Sequence, residues 1–206
     1  MARPPRVDLG GYVYHVINRA NGRATMFKTK EEYLDFEYLL NETREMYEMR
    51  ILAYCIMPNH WHLLLYPQND DDLSKVLHWL TTSHVRRHHS RNSTIGYGHL
   101  YQGTYKSFLV EEDNHLLTVL KYIERNAVRA KLSKRTEDWQ WGSAHRRLRG
   151  TAKEKQLLAE LPVDLPANYG AWINEAEPSE DLKGIRSCVE RGVSYGEVEV
   201  PNIIKQ

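Results

Sequence analysis

The runs RILAYCIM (50–57) and HWHLLLY (60–66) are separated only by Pro58-Asn59. They read as two strands joined by a tight turn, because proline there sets a turn angle and removes one donor from the ladder. A chain that makes this hairpin is committed to a sheet, and alternation along the second strand then sorts its side chains. His60, His62, Leu64 and Tyr66 point one way, while Trp61, Leu63 and Leu65 point the other. Trp61 faces a core, so the histidines face something else. Two imidazoles about 6.6 Å apart along a pleat can converge on one divalent cation through neutral nitrogens. Hydrogen bonding at a sheet surface is the plain alternative.

The remaining elements assemble around that hairpin. YVYHVINR (12–19), bounded by Gly10-Gly11 and Asn21-Gly22, is a strand. From Thr29, the residues Phe36, Leu39, Leu40, Thr43 and Tyr47 recur at helical spacing behind the acidic pair Glu31-Glu32. Leu73, Val76, Leu77, Leu80 and His84 mark a second helix, opened by Asp70, Asp71 and Asp72. A glycine-punctuated loop, IGYGHLYQG, leads to the strand YKSFLV. A third helix then starts near Asp113 with Leu116, Val119, Leu120 and Ile123 as its apolar stripe. The order β-α-β-β-α-β is that of a ferredoxin-like α+β fold, an antiparallel sheet with helices on one face. Beyond Trp141 the composition shifts to Pro, Glu and Lys, and Ser179 is placed to cap a short helix carrying Leu182, Ile185 and Val189 and stopped by Gly192. Residues 1–150 are therefore expected to form one domain, with 151–206 as a tail packed on it.

Composition narrows the function classes. With a formal net charge of +1, the molecule's overall field selects no partner, so a nucleic-acid surface would have to come from local clusters such as HVRRHHSR (84–91) and HRRLR (145–149). Cys55 and Cys188 lack C-x-x-C spacing, which suggests neither a disulfide framework nor a thiolate zinc site. No H-E-x-x-H of a zinc protease occurs. The N-terminus lacks a signal-peptide core, and no run approaches the roughly 18 apolar residues of a membrane helix. A reducing cytoplasm without membrane attachment is the expected setting.

On the third helix Tyr122 and Asn126 are four apart, and Thr118 and Arg129 extend the same face, away from the apolar stripe. A tyrosine, an amide oxygen and an arginine so aligned can complete a metal-centred phosphodiester site; the bland reading is an amphipathic boundary. MPNHWHLLL, LYQGTYKSFLVEEDNHLLTVLKYIERNAVRAKL and DWQWGSAHRRLRG together resemble the REP-associated tyrosine transposases, a branch of the single-tyrosine HUH transposases. The resemblance runs from about Tyr12 to Gly150. It implies that His60-Trp61-His62 is the HUH motif, that Tyr122 is the nucleophile and that Asn126 is a third metal ligand. It further implies a 5′-phosphotyrosine intermediate, single-stranded or hairpin DNA as partner, and a monomer. ERGVSYGE also looks like the family's basic tail. Ala127 stands where the family has proline, and Val193-Ser194 where it has Arg-Pro.

The bound ion would be Mg²⁺ or Mn²⁺, the latter suited to imidazole ligands. Arg86, Arg87, Lys106 and Arg129 are the candidate phosphate contacts around a site on an exposed sheet face, and Lys183, Arg186 and Arg191 are those of the tail. Two other readings stay open. A metallohydrolase would use water and dispense with Tyr122; a non-catalytic hairpin-binding protein derived from such a transposase would keep the fold without the chemistry.

Overall fold

The computed structural model describes residues 8–111, 114–191 and Tyr195. The expected helix start at Asp113, the stop at Gly192 and most of ERGVSYGE lie outside the described residues. The fold is α+β. Strands β1 (Val13–Arg19), β2 (Arg50–Met57), β3 (His60–Tyr66) and β4 (Lys106–Val110) form one antiparallel sheet in the order β2-β3-β1-β4. The helices α1 (Lys30–Tyr47) and α2 (Asp72–Asn92) are the two crossovers expected of a ferredoxin-like arrangement. Among the described residues, no helix is long and apolar enough to cross a membrane.

Alternation on β3 builds two cores. Trp61, Leu63 and Leu65 pack with Phe36, Leu39 and Leu40 of α1 and with Val76, Leu77 and Leu80 of α2. Trp61 is fully buried, and its indole N–H donates to Tyr101 Oη at 2.9 Å, which in turn meets His84 Nδ1 at 2.5 Å. The polar end of the largest core side chain is thus satisfied. On the other face Leu64 packs with Val13, Leu52 and Cys55 against Leu116, Val119, Leu120 and Ile123 of α3 (Asn114–Glu124). A β-bulge between Ile51 and Ala53 explains why Leu52 and Ala53, neighbours in sequence, belong to the same core.

Both faces are therefore covered, which corrects the expectation of an exposed sheet face around the histidines. The physical reason is that α3 is amphipathic and buries its stripe on that face, joined there by Ile185 of the C-terminal helix α8 (Ser179–Arg191). Four short helices precede α8: α4 (Asn126–Arg129), α5 (Ser143–Arg149), α6 (Ala152–Lys155) and α7 (Tyr169–Trp172). The edge of β2 is closed by the chain entering α5, since Ile56 N–H donates to Trp141 O at 2.9 Å and Tyr54 N–H to Ser143 Oγ at 3.0 Å.

Helix starts use acceptors that spacing only partly foretold. Glu32 of α1 reaches back to accept from Thr29 N–H at 3.0 Å. At α2 the acceptor is Asp8, which takes the N–H groups of Leu73 and Ser74 at 3.2 and 2.8 Å. Asp70 instead accepts from Gly10 N–H at 2.8 Å. Gly10 is needed there because a Cβ would lie 2.4 Å from Gln68 O.

Truncating Trp61 removes a large side chain packed between the sheet and both crossover helices and takes from the buried Tyr101 phenol its indole donor. Trp61→Ala is expected to cost about 3–5 kcal/mol of stability, measured as the drop in unfolding free energy from urea titrations. A loss within experimental error would contradict this packing.

Candidate functional site

β3 turns His60 and His62 toward the α3 side of the sheet, their ring centroids 5.1 Å apart and their planes at 74°. The hydrogen bonds of the two rings define their free edges. His60 Nδ1 lies 2.6 Å from Asn59 Oδ1, so the proton sits on Nδ1 and Nε2 presents its lone pair. His62 Nδ1 is bonded to His15 Nε2 at 2.8 Å, which again leaves Nε2 exposed to the site.

α3 ends at Glu124, and a break at Arg125 separates it from α4. The single helical face expected for Tyr122, Asn126 and Arg129 is therefore interrupted. At the break the Tyr122 carbonyl accepts from Arg129 Nη2 at 2.5 Å. The break still leaves Tyr122 beside the histidines, its ring centroid 5.9 Å from that of His62 and 6.1 Å from that of His15, both edge-on. The Arg129 guanidinium lies over the same ring, 4.2 Å from its centroid.

Tyr122, Asn126, His60 and His62 line one cleft of about 640 Å³. Its lining also includes Arg19, Arg23, Gln102, Lys106, Arg186 and Glu190. Lys106 Nζ donates to Val189 O at 3.0 Å, tying β4 to the last turn of α8. Of the expected phosphate contacts, Lys106 and Arg186 thus reach the cleft. Lys183 and Arg191 are exposed on α8 and are not among its lining residues. Arg129 is held by Glu177 behind the tyrosine ring. Arg86 and Arg87 lie on α2, on the opposite face of the sheet, where Arg87 pairs with Asp35 at 2.7 Å and with Glu42 at 3.6 Å. The remaining member of the expected face, Thr118, is not among the cleft-lining residues.

Burial makes the imidazoles poor bases. It lowers His15 to about 3 and His60 to about 4, the latter helped by nearby Arg19, and it pushes His62 well below its ordinary value. All three are neutral at physiological pH, and His60 and His62 offer lone pairs to the cleft. Among the described residues no group of three or more His, Cys, Asp or Glu converges as a metal site, and the oxygen donors that line the cleft with the histidines include the Asn126 amide. The Asn126 Nδ2 is itself buried without a partner.

His15 and Glu177 are the residues sequence reasoning missed. His15 shares its strand face with Ile17, but only the register of β1 on β3 brings it beside His62. Glu177 sits in a stretch without periodicity, and no spacing signal marks it.

Residues 9–126 match a family model described as IS200-like transposases. A curated protein of Haemophilus influenzae, named as a candidate REP-associated tyrosine transposase, is 29% identical over 120 residues, or 54% of this chain and 68% of that protein. The solved structure of a REP-associated tyrosine transposase bound to a REP hairpin shares the fold, with a TM-score of 0.63 over 98% of this chain and 100% of that one, at 17% identity.

Buried neutral histidines predict an acid-sensitive fold. Their folded-state values lie below the ordinary 6.5, so the unfolded chain binds protons that the native chain refuses. The stabilisation is complete above about pH 6.5 and is lost as pH falls toward the values near 4 and 3. Urea midpoints should therefore fall steadily between pH 6.5 and 5, where carboxylates still stay ionised. Level midpoints across that window would show that these rings take up protons freely in the native state.

Proposed function

The chain belongs to the family of IS200-like transposases, and on that premise we propose that it nicks and rejoins single-stranded DNA next to hairpins through Tyr122. The observation that carries this reading is the meeting of Tyr122, His60, His62 and Asn126 in one cation-rimmed cleft. The Tyr122 oxygen attacks a phosphorus, the P–O3′ bond breaks, and a 5′-phosphotyrosine and a free 3′-hydroxyl result. The phenolic proton leaves as the new bond forms, and the departing 3′-oxygen gains one. An incoming 3′-hydroxyl reverses the step, so the energy of the broken bond is kept and no ATP is needed.

His60 and His62 through Nε2, with Asn126 through Oδ1, fit a divalent Mg²⁺ or Mn²⁺. Such an ion, when bound, polarises a non-bridging phosphate oxygen and offsets the charge that repels a nucleophile. For His62 to present a lone pair at Nε2, its Nδ1–H must donate to His15 Nε2, which places the proton of His15 on Nδ1. Lys106 and Arg186 are proposed to hold the backbone of the strand entering the cleft, and Lys183 and Arg191 on α8 to meet flanking phosphates. The hairpin seen on the structural neighbour suggests the same class of partner here. The transposase domain is assigned to residues 1–150 and the tail to 151–206, which walls the cleft with α8. Because Tyr122 meets the histidines of its own chain, the working unit is proposed to be a monomer.

The test uses labelled single-stranded DNA carrying a hairpin, incubated with the full chain and Mn²⁺. Wild type should yield an adduct that survives denaturation, and fully paired DNA of the same sequence should be left uncut. Tyr122→Phe should retain hairpin binding and lose the adduct and cleavage. His60→Ala and His62→Ala should lower activity in a manner partly rescued by higher Mn²⁺, and Asn126→Ala should be a milder version. Cleavage by Tyr122→Phe would favour a metallohydrolase. Tight hairpin binding by wild type with neither cleavage nor adduct would favour a pure binding protein.

A further inference from the structure

Arg129 does not face solvent as a phosphate contact would. Its Nη1 donates to Glu177 Oε1, its Nη2 to the Tyr122 carbonyl, and its plane covers the Tyr122 ring. The second oxygen of Glu177 accepts from Arg125 Nε at 2.5 Å, and Arg125 Nη1 donates to Ile173 O at 3.1 Å. The side chains of Arg125, Glu177 and Arg129 are only 8%, 4% and 15% exposed, so one carboxylate holds two arginines in a water-poor setting.

We propose that Glu177, acting through Arg129, is a positioning residue for Tyr122; the inference rests on reading Tyr122 as the nucleophile. A tyrosine ring at the end of a helix has two soft torsions. Here the rings of His15 and His62 pack against it in T-shaped contacts, and the Arg129 guanidinium covers its face. Without Glu177 the guanidinium loses its anion and swings toward water, and the ring loses a wall. In-line attack on phosphorus is sensitive to this, since a displacement of about 1 Å costs on the order of 10²-fold in rate. A phosphate could recruit Arg129 only by displacing a carboxylate that Arg125 holds in place as well. Glu177 lies in the tail, just before α8, so the device makes the nucleophile's geometry depend on a docked tail.

The experiment uses full-length Glu177→Gln, Glu177→Asp and Arg129→Ala. Adduct formation at saturating hairpin substrate should fall about tenfold or more in Glu177→Gln, with the hairpin Kd and its salt dependence unchanged, and Glu177→Asp should recover part of the rate. An independent readout is 3-fluorotyrosine placed at position 122. Its ¹⁹F line should be single and sharp in the parent and shifted or broadened in Glu177→Gln. A Glu177→Gln rate within twofold of the parent and an unmoved line would overturn the proposal and leave Glu177 as an anchor of the tail only. Arg129→Ala that keeps the saturated rate but lowers the salt slope by about one unit would make Arg129 a phosphate contact instead. A parent chain that forms no adduct, while its line still moves in Glu177→Gln, would refute the nucleophile reading and support the latch.

Discussion

The register of the β2–β3 hairpin is the constraint on which everything else depends. Because side chains alternate on a strand, the placement of Trp61 between α1 and α2 forces His60 and His62 onto the opposite face. A slip of one residue would bury two imidazoles among leucines and turn an indole into the cleft. The Pro58-Asn59 turn and the full burial of Trp61 guard against that slip. Stability and site geometry are thus set by the same interaction, and the core side chain that anchors the fold is the bulky residue between the two candidate ligands.

Closing the histidine face has an electrostatic consequence. With α3 and α8 packed on that face, the imidazoles lose water and are held neutral, while guanidinium groups from Arg19 and Arg129 lie near them. Cationic imidazolium there would face other cations in a desolvated setting. Neutral rings suit the proposed pairing of a metal ion with a phosphodiester: the rings offer lone pairs, and the cationic rim would supply the attraction for phosphate. The cost is a fold that resists protonation poorly.

Much of this was legible in the sequence. Period-2 alternation displayed the hairpin and the facing of its histidines, and helical spacing displayed α1, α2 and the stripe of α3. Tyr122 and Asn126 fell in one cleft as their four-residue spacing suggested, although the helix between them breaks at Arg125. What stayed hidden came from contacts between residues distant in sequence. His15 needs the β1–β3 register, Asp8 caps α2 from across the N-terminal turn, and Glu177 reaches the tyrosine helix from the tail. None of these has a periodic signature, because each is a single polar group whose partner is set by tertiary packing.

Charge counting misleads for the same reason. Much of the basic character is spent internally: Arg87 on Asp35, Arg125 and Arg129 on Glu177, Arg146 on Glu37, and Arg147 beside Glu124. The cluster at 84–91 is partly neutralised by α1 and lies across the sheet from the tyrosine. Cations gather at the cleft singly, from separate elements: Arg19 from β1, Arg23 from the turn that follows it, Lys106 from β4 and Arg186 from α8. A rim assembled in this way exists only when the sheet and tail are folded together. Attraction for a nucleic-acid strand in a chain of net charge +1 is then a property of the tertiary structure rather than of any one segment.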